Sequence, residues 1–139
     1  MPDDFVNPQG ENPLRTEAEA YQAIEEPFRV IQDNEASAYA AIAAPNETAK
    51  GKGHVTYRLR VPATGDYRLY ARVFWEDGCS NSLAMESEAG MVVLSSDIFS
   101  RWHTLRAARA LSLEEGEQTI IIRNLEDGVR IDYWGLQPE

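Results

Sequence analysis

The chain reads as an all-β sandwich or barrel, and three observations carry that reading. Side chains alternate between apolar and polar over Val55–Val61 and again over Tyr67–Trp75, the period of a strand with one buried face. Turn residues then recur at roughly 8–12 residue spacing, as in sandwiches and barrels. No heptad or glycine period competes with this pattern. A length of 139 residues with 43% apolar content suits one domain with a real core.

The first third is the least decided. Residues 1–14 hold Pro2, Pro8, Gly10 and Pro13 without a basic or apolar leader segment. They read as a flexible leader or linker rather than a signal peptide, with a single domain over 15–139. Thr16-Glu-Ala-Glu19 has the form of a capping box, and Ala18–Glu26 is rich in helix formers, so local propensity predicts a helix over 17–26. Ala36–Ala44 is alanine-rich and suits helix or strand.

From residue 53 the strands follow in order. Residues 54–61 alternate, Pro62-Ala-Thr-Gly65 turns the chain, and 67–75 alternates again. Glu76-Asp-Gly78 breaks that run. Short strands are expected at 83–88 and 91–95, separated by Glu88-Ala-Gly90, then at 102–108, after which Leu111-Ser-Leu113 leads into the turn Glu114-Glu-Gly116. Residues 118–123 contain three consecutive isoleucines, as expected of a strand buried on both faces. Asp127-Gly128 turns the chain into a last strand over 129–136. Successive antiparallel strands return the chain to alternate ends of a sheet. The loops 45–53, 76–82 and 124–128 therefore belong at one end, with 96–101 beside them and the tight turn 62–66 opposite. Longer, varied loops gathered at one end are the usual carriers of a binding site.

Charge narrows the function. The net charge is −10, which argues against nucleic acid or an anionic membrane as partner. Residues 1–35 carry nine acidic and two basic side chains. No apolar run approaches the roughly 20 residues of a membrane span. One cysteine, Cys79, excludes an internal disulfide. No nucleophile, zinc-protease, P-loop or dinucleotide motif is present, so the chain is not expected to be an enzyme.

Two groups of residues point to chemistry. Trp102 lies where the polar loop Ser95–Arg101 enters a strand, a natural place for an aromatic ring to stack on a sugar; the competing reading is a rim aromatic sealing the core. Trp75 and Trp134 read as core. Glu17 and Glu19 are two apart, so they share one face on a strand and point about 200° apart on a helix. Two carboxylates on one face suit a hard cation, Ca²⁺ rather than zinc or copper.

Taken together, Glu17-Ala-Glu19, Ala36-Ser-Ala-Tyr39, Val61-Pro-Ala-Thr-Gly-Asp-Tyr-Arg-Leu-Tyr-Ala-Arg72, Arg101-Trp-His-Thr104, Leu113-Glu-Glu-Gly-Glu-Gln-Thr-Ile120 and Leu125-Glu-Asp-Gly-Val-Arg-Ile-Asp-Tyr-Trp134 resemble carbohydrate-binding modules of families 6 and 35. That resemblance spans about residues 15–137. It implies a galactose-binding-like β-sandwich jelly roll in which Glu-x-Glu opens the first strand, against the helix at 17–26. It implies a structural Ca²⁺ on Glu17, Glu19 and Asp132, completed by backbone carbonyls before Tyr39. It implies a sugar site on the loops with Tyr39 and Trp102 as aromatic contacts. Such modules commonly use an asparagine two residues before the aspartate; this chain has Arg130 there. Asn124 and Asp127 are the polar candidates beside it, and an arginine favours an acidic sugar through a bidentate pair. The implied role is to hold an attached enzyme or surface protein on a polysaccharide, extracellularly, as a monomeric part of a larger protein. A structural or protein-interaction jelly roll without sugar binding is the alternative.

Overall fold

A computed structural model describes residues 14–25, 28–44, 53–76, 82–123 and 129–139. Twelve strands follow one another: β1 (Arg15–Glu17), β2 (Ala23–Ile24), β3 (Arg29–Gln32), β4 (Ala40–Ala43), β5 (His54–Val61), β6 (Gly65–Phe74), β7 (Ser82–Ser87), β8 (Gly90–Ser95), β9 (Trp102–Arg106), β10 (Leu111–Leu113), β11 (Gly116–Arg123) and β12 (Arg130–Pro138). The one helical element among the described residues is a 3-10 turn at Ser37–Tyr39. The predicted helix at 17–26 is not formed. Arg15, Thr16 and Glu17 instead pair with Gly135, Trp134 and Tyr133 of β12. Ala18 is fully buried, its N–H donates to the Asp132 carbonyl, and the Ala20 N–H closes a turn on the Glu17 carbonyl. Burial and sheet pairing of this segment outweigh a propensity advantage of a few tenths of a kcal/mol per residue.

The strands make two sheets, and the fold is a β-sandwich jelly roll. Sheet 1 runs β10-β6-β12-β4-β3, with β1 also on β12 and β9 also on β6; sheet 2 runs β2-β5-β11-β7-β8. The inward positions are those the alternation named: Val55, Tyr57 and Val61 from β5, and Tyr67, Leu69, Ala71 and Val73 from β6. Trp75, Trp134, Ile120 and Ile122 are fully buried with them. Tyr57 meets Trp134 edge to face at 5.1 Å and donates its hydroxyl to the Ala18 carbonyl at 2.7 Å, tying β1 to the core. Burial pushes the Tyr57 phenol far above its ordinary range. The isoleucine triplet is not buried on both sides, because Ile121 faces outward and is only partly covered.

Part of the outer face of sheet 1 is also covered. Tyr70 is buried there, lying across β12 where Gly135 stands, and a Cβ on Gly135 would sit 2.5 Å from the Tyr70 hydroxyl. Among the described residues no helix is long and apolar enough to cross a membrane.

Candidate functional site

The strand directions gather the loops as the alternation of ends requires. The Ser100 N–H donates to the Trp75 carbonyl, so the 96–101 loop lies against the end of β6. Arg123 pairs with His54, and the Ala44 N–H donates to the Val129 carbonyl. The segments flanking 45–52, 77–81 and 124–128 thus meet at the end opposite the turn at 62–64. Asn124 and Asp127 lie outside the described residues.

At this end the sheet 1 ladder lines up five residues on its outer face. Arg29 pairs with Ala43, Ala43 with Arg130, Arg130 with Phe74 and Phe74 with Trp102, and paired residues share a face. Trp102 is only 8% exposed. Phe74 meets it edge to face at 5.7 Å, the Arg72 guanidinium lies 5.2 Å over its ring, and Ala36 and Ala41 pack against it. It is a floor beneath the surface rather than an open platform. Arg130 lies over the Phe74 ring at 4.6 Å and 3.6 Å from Asp33.

Among the described residues the exposed large aromatics are Tyr39, 70% exposed, and Phe99, 39% exposed. Trp102 connects them: it packs between Ala36 and Ala41, which bracket Tyr39, and follows Phe99 by three residues. Tyr39 has φ 60°, and Ser100, next to Phe99, has φ 61°. A non-glycine residue there costs about 1–2 kcal/mol, and such strain gathers at functional sites. The sequence reading missed Phe99. Its signal was an aromatic outside any alternating pattern, where no strand geometry enforces burial.

Both rims are held from below. The 33–39 segment opens on an Asx turn, with the Glu35 N–H on Asp33 Oδ1 at 2.9 Å. The Ser37 N–H donates to both oxygens of Asp132 at 2.9 Å. Arg72 Nη1 donates to Asp132 Oδ2 at 2.7 Å and to the Glu35 carbonyl at 2.9 Å. Asp132 is fully buried, and burial lifts its carboxyl above the usual range against the pull of Ser37 and Arg72. The 96–101 loop is held by Ser96, which accepts from Trp75 Nε1 at 2.8 Å and bonds His103 Nε2 at 2.7 Å. His103 Nδ1 lies 3.1 Å from the Arg101 carbonyl. A carbonyl only accepts, so Nδ1 carries the proton and Nε2 accepts from Ser96.

Glu17 and Asp132 approach the same Ser37: Glu17 Oε2 accepts from its hydroxyl at 3.2 Å and from Arg15 Nη2 at 3.3 Å. Glu19 follows β1 in the turn rather than extending the strand. Burial raises its carboxyl above 4.5, and the charges of Glu17 and Asp132 raise it further against a lowering backbone hydrogen bond. Glu17 Oε1 and Glu19 Oε1 are buried without a hydrogen-bond partner. That pair suits a hard cation, whereas the Asp132 carboxylate is already engaged by Arg72 and Ser37. Among the described residues no group of three or more His, Cys, Asp or Glu is placed to hold a metal together.

A separate cleft of about 360 Å³ lies on sheet 2, lined by Glu86, Ser87, Glu88, Thr119 and Ile121.

At the level of sequence, no family model and no curated protein matches the chain. Solved structures do. The C-terminal CBM6 of LamC, a marine laminarinase from Zobellia galactanivorans, superposes with a TM-score of 0.70 at 18% identity over 89% of this chain and 98% of that one. The module CBM6cm-2 from Cellvibrio mixtus lichenase 5A, solved with cellotriose, gives 0.71 at 15% identity over 90% and 96%. The Podospora anserina GH26-CBM35 β-(1,4)-mannanase gives 0.74 at 18% identity, covering 91% of this chain and 27% of the mannanase. The fold is that of the family 6 and family 35 carbohydrate-binding modules, as the sequence motifs implied.

Proposed function

We propose that this protein is a non-catalytic carbohydrate-binding module that holds an attached enzyme or surface protein on an extracellular polysaccharide. The observation that carries the reading is Tyr39. Its backbone closes the 33–39 turn, accepting from the Asp33 N–H and donating to the Ala36 carbonyl, but those bonds need no aromatic, and a large ring that is 70% exposed in a left-handed backbone conformation is not explained by packing. Ligand contact supplies the reason for it. Phe99 offers a second ring, with Trp102 beneath as a packed floor and Arg130 as a polar donor; Asn124 and Asp127 remain candidate polar contacts. Tethering works by effective concentration, so modest affinity for one saccharide is sufficient. The superposed modules support this reading through the fold they share with the chain.

The same reading includes a structural Ca²⁺. Glu17 and Glu19 would hold it through their buried, unpartnered oxygens, with backbone carbonyls before Tyr39, and the Asp132 charge lies close by. When bound, the ion neutralises crowded carboxylates and ties β1 to β12. The test of the sugar site is a polysaccharide and glycan binding screen comparing wild type with Tyr39→Ala and Phe99→Ala. Loss of binding in both, with folding intact, is the expected result. Unchanged binding in both variants moves the site elsewhere, with the sheet 2 cleft at Glu86, Thr119 and Ile121 the next to mutate.

One feature favours the alternative, a protein-interaction jelly roll: the aromatic at 102 is buried. That alternative predicts silence on every glycan and a specific protein partner.

A further inference from the structure

The ladder row on sheet 1 places two arginines on one outer face at the loop-bearing end, in a chain of net charge −10. Arg29, on the edge strand β3, is exposed, and its side chain makes no hydrogen bond or ion pair with the described residues. Arg130 is 36% exposed at its side chain. Its contacts are the Phe74 ring face at 4.6 Å and Asp33 at 3.6 Å, too long for a hydrogen bond. Its planar fork is therefore held in place from below and beside, while its N–H donors make no hydrogen bond to the described residues. Ala43 alone stands between the two arginines in the ladder, a Cα separation of about 10 Å from two strand spacings. The residue between them is an alanine, so no long side chain of that row separates the two guanidinium groups. Arg72, deeper on the same face, is committed to Asp132 and the Glu35 carbonyl. Among the described residues the nearby carboxylates are Asp33, already beside Arg130, and Glu35 on the adjoining loop.

From this placement we infer that the Arg29–Arg130 row selects an anionic saccharide, with the guanidinium groups receiving its carboxylate or sulfate while the sugar ring lies toward Tyr39 and Phe99. The inference rests on the binding-module reading and names its ligand class. A guanidinium matches a planar oxyanion with two parallel hydrogen bonds. A neutral sugar offers hydroxyls only and cannot form that charge-assisted pair.

The experiment uses titration calorimetry on the full chain with three probes: trigalacturonate, the same oligosaccharide after carboxyl reduction, and a sulfated galactose oligosaccharide. The expected result is that one anionic probe binds roughly ten- to hundredfold tighter than the neutral one, the worth of a charge-assisted hydrogen bond. Which anionic probe wins identifies carboxylate or sulfate as the recognised group. The preference weakens with added salt, collapses in Arg130→Gln, and is reduced in Arg29→Gln, whose exposed side chain contributes little to folding. Arg130→Lys retains the charge without the fork and recovers only part of it. If the neutral oligosaccharide binds as tightly as the anionic ones, or if neutral polysaccharides bind and neither anionic probe does, the inference is overturned and the module reading stands. Silence with these probes and across a broad glycan panel, in folded protein, overturns both.

Discussion

Replacing Trp102 with alanine separates two roles that the sequence could not tell apart. The ring is 8% exposed, packed on Phe74, under Arg72 and between Ala36 and Ala41. Truncating a buried tryptophan costs about 3–5 kcal/mol, a large part of the 5–15 kcal/mol typical of a whole domain. Urea unfolding should show that loss as a lower midpoint with an unchanged slope. Tyr39→Gly is the contrast. It removes an exposed ring, releases about 1–2 kcal/mol of left-handed strain and returns about 0.5–1 kcal/mol in glycine entropy. Its midpoint should stay within about 1 kcal/mol of wild type or rise, while glycan binding is lost. A Trp102→Ala midpoint within about 1 kcal/mol of wild type would refute this reasoning and make Trp102 a surface platform.

Further outcomes follow from the same contacts. Wild type should melt higher with Ca²⁺ and lower with chelator, and Glu19→Gln should abolish the difference. Because burial raises the Glu19 carboxyl above 4.5, its stabilising contribution is present below that pH and lost as pH climbs through the raised value; in chelator, thermal melts should fall over that span and fall less in Glu19→Gln. Arg72→Met leaves Asp132 buried and unpaired and should cost about 3–5 kcal/mol, with faster amide exchange at Glu35–Tyr39. Gly135→Ala drives a Cβ into the Tyr70 ring and should cost about 1–3 kcal/mol by denaturant melt, much less in a Tyr70→Leu background.

How much was legible depended on which physical scale decided each element. The strands over 54–61 and 67–75 were readable because a period of two is imposed by burial on one face. The gathering of the loops at one end followed from antiparallel geometry alone. The 17–26 segment was misread because local propensity favours a helix there, while pairing with β12 and burial of Ala18 are decided by residues more than a hundred positions away. Trp102 could not be resolved from sequence because its burial depends on the 33–39 segment crossing it, held by Arg72 and Asp132 from two other strands. Phe99 was overlooked for the same reason, since exposure of a loop residue has no periodicity to betray it. Ile121 shows the limit of reading an apolar run as doubly buried, since the outer face of sheet 2 has no layer over it among the described residues. The Glu17–Glu19 pair was visible as spacing, but the engagement of Asp132 by Arg72 needed the fold.

The most direct measurement is a broad polysaccharide and glycan screen on the folded wild-type protein beside Tyr39→Ala and Phe99→Ala. Binding confined to one glycan class, lost in both variants while their melting temperatures hold, is the predicted result. Silence across the panel, or binding that ignores both substitutions, would contradict a saccharide site on the Tyr39 and Phe99 loops.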